Sequence, residues 1–214
     1  MTADPHAGQP VVEAGAPLGE APGVVIMVHG RGGSPSNMLD LVPWLKHPKL
    51  TYLAPAAADH TWYPNSFMSP VESNEPHLSS ALGVIASLVG RVETAGISRS
   101  RIVLLGFSQG ACLSGEFAVR HASRFGGVVM FSGGLIGPPG TRWEFDGHFD
   151  GTPVFLGCSD VDVHIPKDRV IESGEMFARM GAQVTTRIYP GMGHLVNDDE
   201  AEFARRLLDG VGAP

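Results

Sequence analysis

Residues 101–111 read RIVLLGFSQGA: a run of apolar, β-branched residues that ends in Gly106-Phe107-Ser108-Gln109-Gly110 and passes at once into Ala111, Leu113, Phe117 and Ala118 at helical spacing. A buried strand, a glycine-flanked serine and a helix in direct succession form the G-x-S-x-G elbow. Its turn forces Ser108 into a strained backbone conformation, so the two glycines are needed to let strand and helix approach. The hydroxyl is then presented at the carboxyl end of the sheet, where open α/β sheets bind ligands.

Outward from this segment, short apolar runs alternate with stretches of helical period, the pattern of βαβ units around a mostly parallel sheet. Strands are expected at 24–28, 51–53, 101–106, 127–131, 153–156 and 184–188, with a short antiparallel edge strand at 11–13. Leu78, Leu82, Ile85, Val89 and Val92 fall on one stripe of a helix, and Gly96 stops it. Further helices are expected at 36–46, 109–121, 167–180 and 198–208. Residues 55–76, which include TWYPNSF, and residues 133–152, rich in Gly and Pro, are connections long enough to suggest function. Neither carries the periodicity of a multi-helix cap, so the site should be shallow and open.

A serine hydroxyl needs a positioned base, and histidine, with an ordinary pKa of about 6.5, is matched to that task. Of the nine histidines, His194 lies in PGMGH at 190–194, after the last strand, where the order serine, acid, histidine would place it. His29 is read as ordering the loop it begins. His6, His47, His60, His77, His121 and His148 are read as surface or capping residues. The acid should follow the strand at 153–156, whose loop holds both Asp160 and Asp162. Counting back from Pro166 favours Asp162, counting forward from Gly157 favours Asp160, and Asp162 is preferred. Asp160, Asp162 and His164 also admit a weaker reading as a metal cluster.

Attack on an acyl carbonyl places charge on its oxygen, which two backbone amides must meet. Gln109, after the nucleophile, supplies one, and the loop His29-Gly30-Arg31-Gly32-Gly33 supplies the other, with Arg31 the favoured donor. That loop lacks the Gly-Lys-Ser/Thr ending of a phosphate-binding loop. Trp62, Tyr63 and Phe67 either wall an acyl pocket or pin their loop to the sheet.

The 214-residue chain has a formal charge of −7 and 15 scattered Lys and Arg, so no basic patch for nucleic acid is present. Cys112 and Cys158 lack metal or redox spacing and read as small core residues. No signal-like or membrane-length apolar run occurs, which leads us to expect a cytoplasmic protein without membrane insertion. Residues 1–10 read as a disordered tail with nothing to bury, and residues 11–214 as one domain.

These pieces together resemble the phospholipase/carboxylesterase family of α/β-hydrolases, which includes bacterial carboxylesterases and acyl-protein thioesterases. HGRGG at 29–33, GFSQGA at 106–111, the acid loop at 157–166 and PGMGH at 190–194 occur in the family's order. The resemblance implies an α/β-hydrolase fold with helices on both faces of the sheet and no large cap domain. It also implies a triad of Ser108, Asp162 and His194, an oxyanion pair in the amides of Arg31 and Gln109, and neither metal nor organic cofactor. TWYPNSF departs from the thioesterases, and a carboxylesterase acting on small acyl esters, as a monomer or homodimer, is expected. The competing readings are a dienelactone-hydrolase-like lactone hydrolase, whose relatives often carry cysteine at the elbow, and a ligand receptor on the hydrolase scaffold.

Overall fold

A computed structural model describes residues 4–212 of the chain. Among them, seven strands form one sheet in the order β1-β3-β2-β4-β5-β6-β7. These are β1 Val11–Gly15, β2 Val24–Val28, β3 Thr51–Pro55, β4 Ile102–Phe107, β5 Gly127–Phe131, β6 Pro153–Ser159 and β7 Gln183–Tyr189. Only β1 runs antiparallel, pairing with β3 at the edge. The central strands β2, β3, β4 and β5 are almost wholly buried, as strands covered on both faces must be.

Successive residues of each strand face opposite layers. Ile26, Val28 and Leu104 point toward α3 His77–Thr94, α4 Gln109–Arg120 and α5 Lys167–Arg179. Val25, Met27, Val103, Leu105 and Phe155 point toward α1 Pro35–Leu39, α2 Val42–Leu45 and α6 Asp198–Gly212. Helices therefore cover both faces, and the loops at the carboxyl ends of the strands are left to build a site.

The single helix expected over 36–46 is two short ones. Pro43 has no amide hydrogen, and in a continuous helix its ring would strike the carbonyl of Leu39, so the first helix ends there and a second begins. Lys46, in the left-handed region at φ 56°, then terminates α2. The other expected helices and strands occur with ends shifted by a few residues.

Neither a disordered tail nor a surface or capping role holds for His6. Met1 to Ala3 lie outside the described residues, but His6 is only 2% exposed. Its Nδ1 accepts the Ala58 amide at 3.1 Å and its Nε2 therefore donates to the Trp62 carbonyl at 2.9 Å. The ring also packs against the Trp62 indole. Burial lowers the imidazole pKa, against the raising effect of the Trp62 carbonyl, which keeps this partner of the aromatic loop neutral. Composition suggested nothing to bury because a histidine counts as polar, yet one with both nitrogens bonded is a satisfied core residue.

Helix α6 opens with a reciprocal cap. Asn197 Oδ1 accepts the Glu200 amide, and Glu200 Oε2 accepts the Asn197 amide, each at 2.9 Å. The second carboxyl oxygen of Glu200 is buried without a hydrogen-bond partner among the described residues. Burial, outweighing the Asn197 amide, pushes this carboxyl up from 4.5 to about 7. The protonated form thus stabilises the fold; that contribution is fully present below the unfolded-state pKa near 4.5 and disappears as pH rises through about 7. Glu200→Gln keeps an acceptor for Asn197 and removes the titration. Its melting temperature relative to wild type should therefore climb between pH 5 and pH 8, as read by thermal unfolding at both ends; an offset independent of pH would contradict this.

Candidate active site

Ser108 sits between β4 and α4 with φ 53° and ψ −120°, a conformation costly for a residue with a Cβ and sustained here by its neighbours. A Cβ on Gly106 would overlap the Gly110 carbonyl, and one on Gly110 would overlap the carbonyl of Val28 in β2. Both flanking glycines are thus fixed by close backbone approach. The Ser108 amide donates to the Phe131 carbonyl at 2.9 Å, which ties the turn to β5.

His194 arrives on the loop after β7. Its Nε2 lies 2.9 Å from Ser108 Oγ and its Nδ1 2.6 Å from Asp162 Oδ2. The Asp162 side chain is fully buried, and its other oxygen accepts the amides of His164 at 2.8 Å and Ile165 at 3.0 Å. Burial alone would raise the carboxyl pKa, but the hydrogen bonds from His194, His164 and Ile165 outweigh it and hold the group below its ordinary value. An ionised Asp162 accepts a hydrogen bond from the Nδ1–H of His194, which leaves Nε2 as acceptor for the serine hydroxyl. The imidazole packs against the rings of Phe107 and His164, 4.9 and 4.8 Å between centroids.

Asp160 has a different position. It is exposed, and its Oδ1 accepts the Gly191 amide at 2.8 Å, while Ser159 Oγ accepts the Gly193 amide at 3.1 Å. The acid loop therefore grips the histidine loop through two tethers beside the Asp162–His194 pair. Among the described residues, no three His, Cys, Asp or Glu side chains converge as metal ligands; the Asp160 carboxylate is turned to Gly191, and that of Asp162 to His194.

Above Ser108 lies a cavity of about 460 Å³, walled by residues that include Gly30, Arg31, Tyr63, Phe67, Gln109 and Ile165. Gln109 is the first residue of α4, where amides have no acceptor within the helix and the dipole favours negative charge. The side chains of the two expected oxyanion residues do a second job. Arg31 donates to the carbonyls of Tyr63, Pro64 and Asn65 at 2.8 to 2.9 Å. Gln109 accepts the Trp62 amide at 2.9 Å and donates to the Tyr63 carbonyl at 2.8 Å. Residues 62–65 are thereby held in place, with Tyr63, Pro64 and Asn65 in the wall of the cavity that Ser108 enters.

The three aromatics divide between their two readings. Trp62 is wholly buried and donates through Nε1 to the His29 carbonyl at 2.8 Å, so it pins the loop. Tyr63 and Phe67 are in the cavity wall. His29 orders its own loop, with Nδ1 on the Gly30 carbonyl at 2.8 Å and Nε2 accepting the Ala57 amide at 3.1 Å. Burial, opposed by the Gly30 carbonyl, lowers its pKa.

Sequence reasoning did not single out Arg169, Phe107 or the place of Cys112 in the wall. Arg169 is 3% exposed, donates to the carbonyls of Leu135 and Gly137 at 2.9 and 2.7 Å, and lies over the rings of Phe67 and Trp143. It joins the two long loops to one another. The place of Cys112 follows from its spacing, because four residues after Ser108 on a helix is the same face one turn on. The two thiols are buried, as expected of small core residues.

A seven-stranded, mostly parallel sheet with a strained serine after its central strand, hydrogen-bonded to a histidine and through it to an aspartate, defines an α/β-hydrolase. Residues 8–211 match the Phospholipase/Carboxylesterase family, and the chain belongs to it. The solved structure of a phospholipase/carboxylesterase from Dyadobacter fermentans is similar, with 38% identity and a TM-score of 0.90 over 94% of this chain and 96% of that one. Acyl-protein thioesterase 1 of Saccharomyces cerevisiae is 27% identical over 83% of this chain and 88% of the yeast protein. That of Gibberella zeae is 31% identical over 57% of this chain, and the matched segment spans about half, 53%, of the fungal protein.

Proposed function

We propose that the protein is a serine esterase that hydrolyses short- to medium-chain acyl esters, and thioesters of similar shape, through an acyl-enzyme. The observation that carries this reading is the hydrogen-bonded line from Ser108 Oγ through His194 to Asp162, with steps of 2.9 and 2.6 Å. Ser108 Oγ attacks the acyl carbonyl while His194 Nε2 takes its proton. Asp162 holds the ring in the reactive tautomer and stabilises the imidazolium. The amides of Arg31 and Gln109 receive the negative oxygen of the tetrahedral intermediate. Collapse expels the alcohol or thiol, which leaves with the proton from Nε2. Water, deprotonated by the same nitrogen, then attacks the acyl-serine and releases the acid.

The cavity wall mixes apolar residues such as Phe67, Phe107 and Ile165 with polar ones such as Arg31, Asn65 and Gln109 and is open to solvent, which suits a small ester more than a long enclosed chain. No helix among the described residues is long and apolar enough to cross a membrane. With p-nitrophenyl acetate and butyrate, many turnovers per enzyme molecule are expected, following a burst of nitrophenol no larger than the enzyme concentration. Stoichiometric binding without turnover would instead identify a receptor built on the scaffold.

A further inference from the structure

His194 has a second histidine beside it. His164 stands two residues after Asp162 on the acid loop, and its main-chain amide donates to Asp162 Oδ1 at 2.8 Å. That bond fixes the backbone, and the side chain is left in the cavity wall together with Ser108 and His194. The two imidazoles meet edge to face, 4.8 Å between centroids and 66° between planes. His164 is exposed, and neither of its ring nitrogens has a hydrogen-bond partner among the described residues. Two other polar side chains of the wall are spent on the protein itself: Arg31 on the carbonyls of residues 63–65, and Gln109 on Trp62 and Tyr63. A neutral imidazole carries one donor and one acceptor, so His164 offers the cavity both.

The part of a substrate that meets this ring is set by the direction of proton transfer. In the hydrolytic cycle the leaving oxygen takes its proton from His194 Nε2, so it must come within about 3 Å of that atom. The carbonyl oxygen is claimed by the oxyanion amides, and the group beside the His194 ring is therefore the alcohol. Its carbons run on from the leaving oxygen along the wall where His164 lies against His194. A hydroxyl two carbons on can donate to the free imidazole or accept from it. A methyl group in the same place makes no such bond and displaces water from the ring nitrogens. A site that hydrogen-bonds a substrate hydroxyl discriminates against the analogue that lacks it.

We propose that His164 is a specificity-determining residue that selects esters whose alcohol carries a hydroxyl near the ester oxygen over esters of plain alkyl alcohols. This rests on Ser108 and His194 carrying out ester hydrolysis. The test compares kcat/KM for 2-hydroxyethyl butyrate and propyl butyrate, which exchange a hydroxyl for a methyl group, each divided by its rate with hydroxide. Wild type should favour the hydroxyethyl ester by about fivefold, the scale of one hydrogen bond. His164→Leu should bring the ratio close to unity, whereas His164→Gln, which keeps a donor and an acceptor, should hold most of the preference. Any general slowing through His194 falls on both esters alike and cancels in the ratio. The ratio of ethyl butyrate to ethyl acetate, which varies the acyl side instead, should stay the same in all three proteins. An unaltered hydroxyethyl-to-propyl ratio in His164→Leu, an equal loss in His164→Gln, or a change confined to the acyl ratio would overturn the role of His164 and leave the esterase reading in place. Wild type that turns over both butyrates without preference would do the same. Failure of wild type to turn over these esters or p-nitrophenyl butyrate would overturn both.

Discussion

Ser108→Ala is expected to reduce ester hydrolysis to the uncatalysed background, a loss on the order of 10⁶ in kcat by comparison with the removal of a serine nucleophile from a protease. The reasoning is local. The Ser108 hydroxyl is bonded to His194, and the alanine Cβ occupies the place of the serine Cβ at the same φ of 53°. The turn is held by backbone bonds, Ser108 N to the Phe131 carbonyl and Cys112 N to the Ser108 carbonyl at 3.0 Å, which the substitution leaves intact. The variant should therefore melt close to wild type while losing turnover. Steady-state assays with p-nitrophenyl butyrate, with thermal unfolding alongside, separate the two effects. Retained activity in a folded Ser108→Ala protein would remove this residue from the chemistry.

The second large effect concerns the acid. Asp162→Asn should lower kcat by about 10⁴, the loss seen when the corresponding carboxylate of a serine protease is made an amide. Asparagine still accepts the amides of His164 and Ile165 with its oxygen, but it then turns an NH₂ group toward His194 Nδ1. That face of the ring must become the acceptor, the proton moves to Nε2, and the serine hydroxyl faces a donor. Asp160→Asn should behave differently, because its amide oxygen can continue to accept the Gly191 N–H. Its effect should stay within about tenfold, the scale of one exposed hydrogen bond. A collapse in Asp160→Asn with a mild Asp162→Asn would exchange the two residues.

How far the sequence reveals this arrangement depends on how local the physics is. β2 and β5 are readable to the residue because Val24–Val28 and Gly127–Phe131 are short apolar runs between turn-forming neighbours. The elbow is equally plain, since Gly106 and Gly110 answer to contacts within one strand-turn-helix unit and the neighbouring strand. The choice between Asp160 and Asp162 is not local: both lie on one loop, and only the position of a histidine more than thirty residues on distinguishes the buried acid from the exposed tether. The same limit applies to His6 and Arg169, whose polarity suggests surface. Each is buried because partners far along the chain, Trp62 and Ala58 for one and Leu135 and Gly137 for the other, satisfy its hydrogen bonds. Trp62 and Tyr63, adjacent in the chain, take opposite roles for a comparable reason. The clamp from Arg31 and Gln109 fixes the backbone between them, so one side chain goes under the loop and the other into the cavity wall.

The most direct measurement is the site of covalent modification. Wild-type protein treated with one equivalent of a fluorophosphonate should lose activity in step with labelling, and mass analysis of its peptides should place a single phosphonyl group on Ser108. Complete inactivation with the label on another side chain, or continued ester turnover by fully Ser108-labelled protein, would contradict the account.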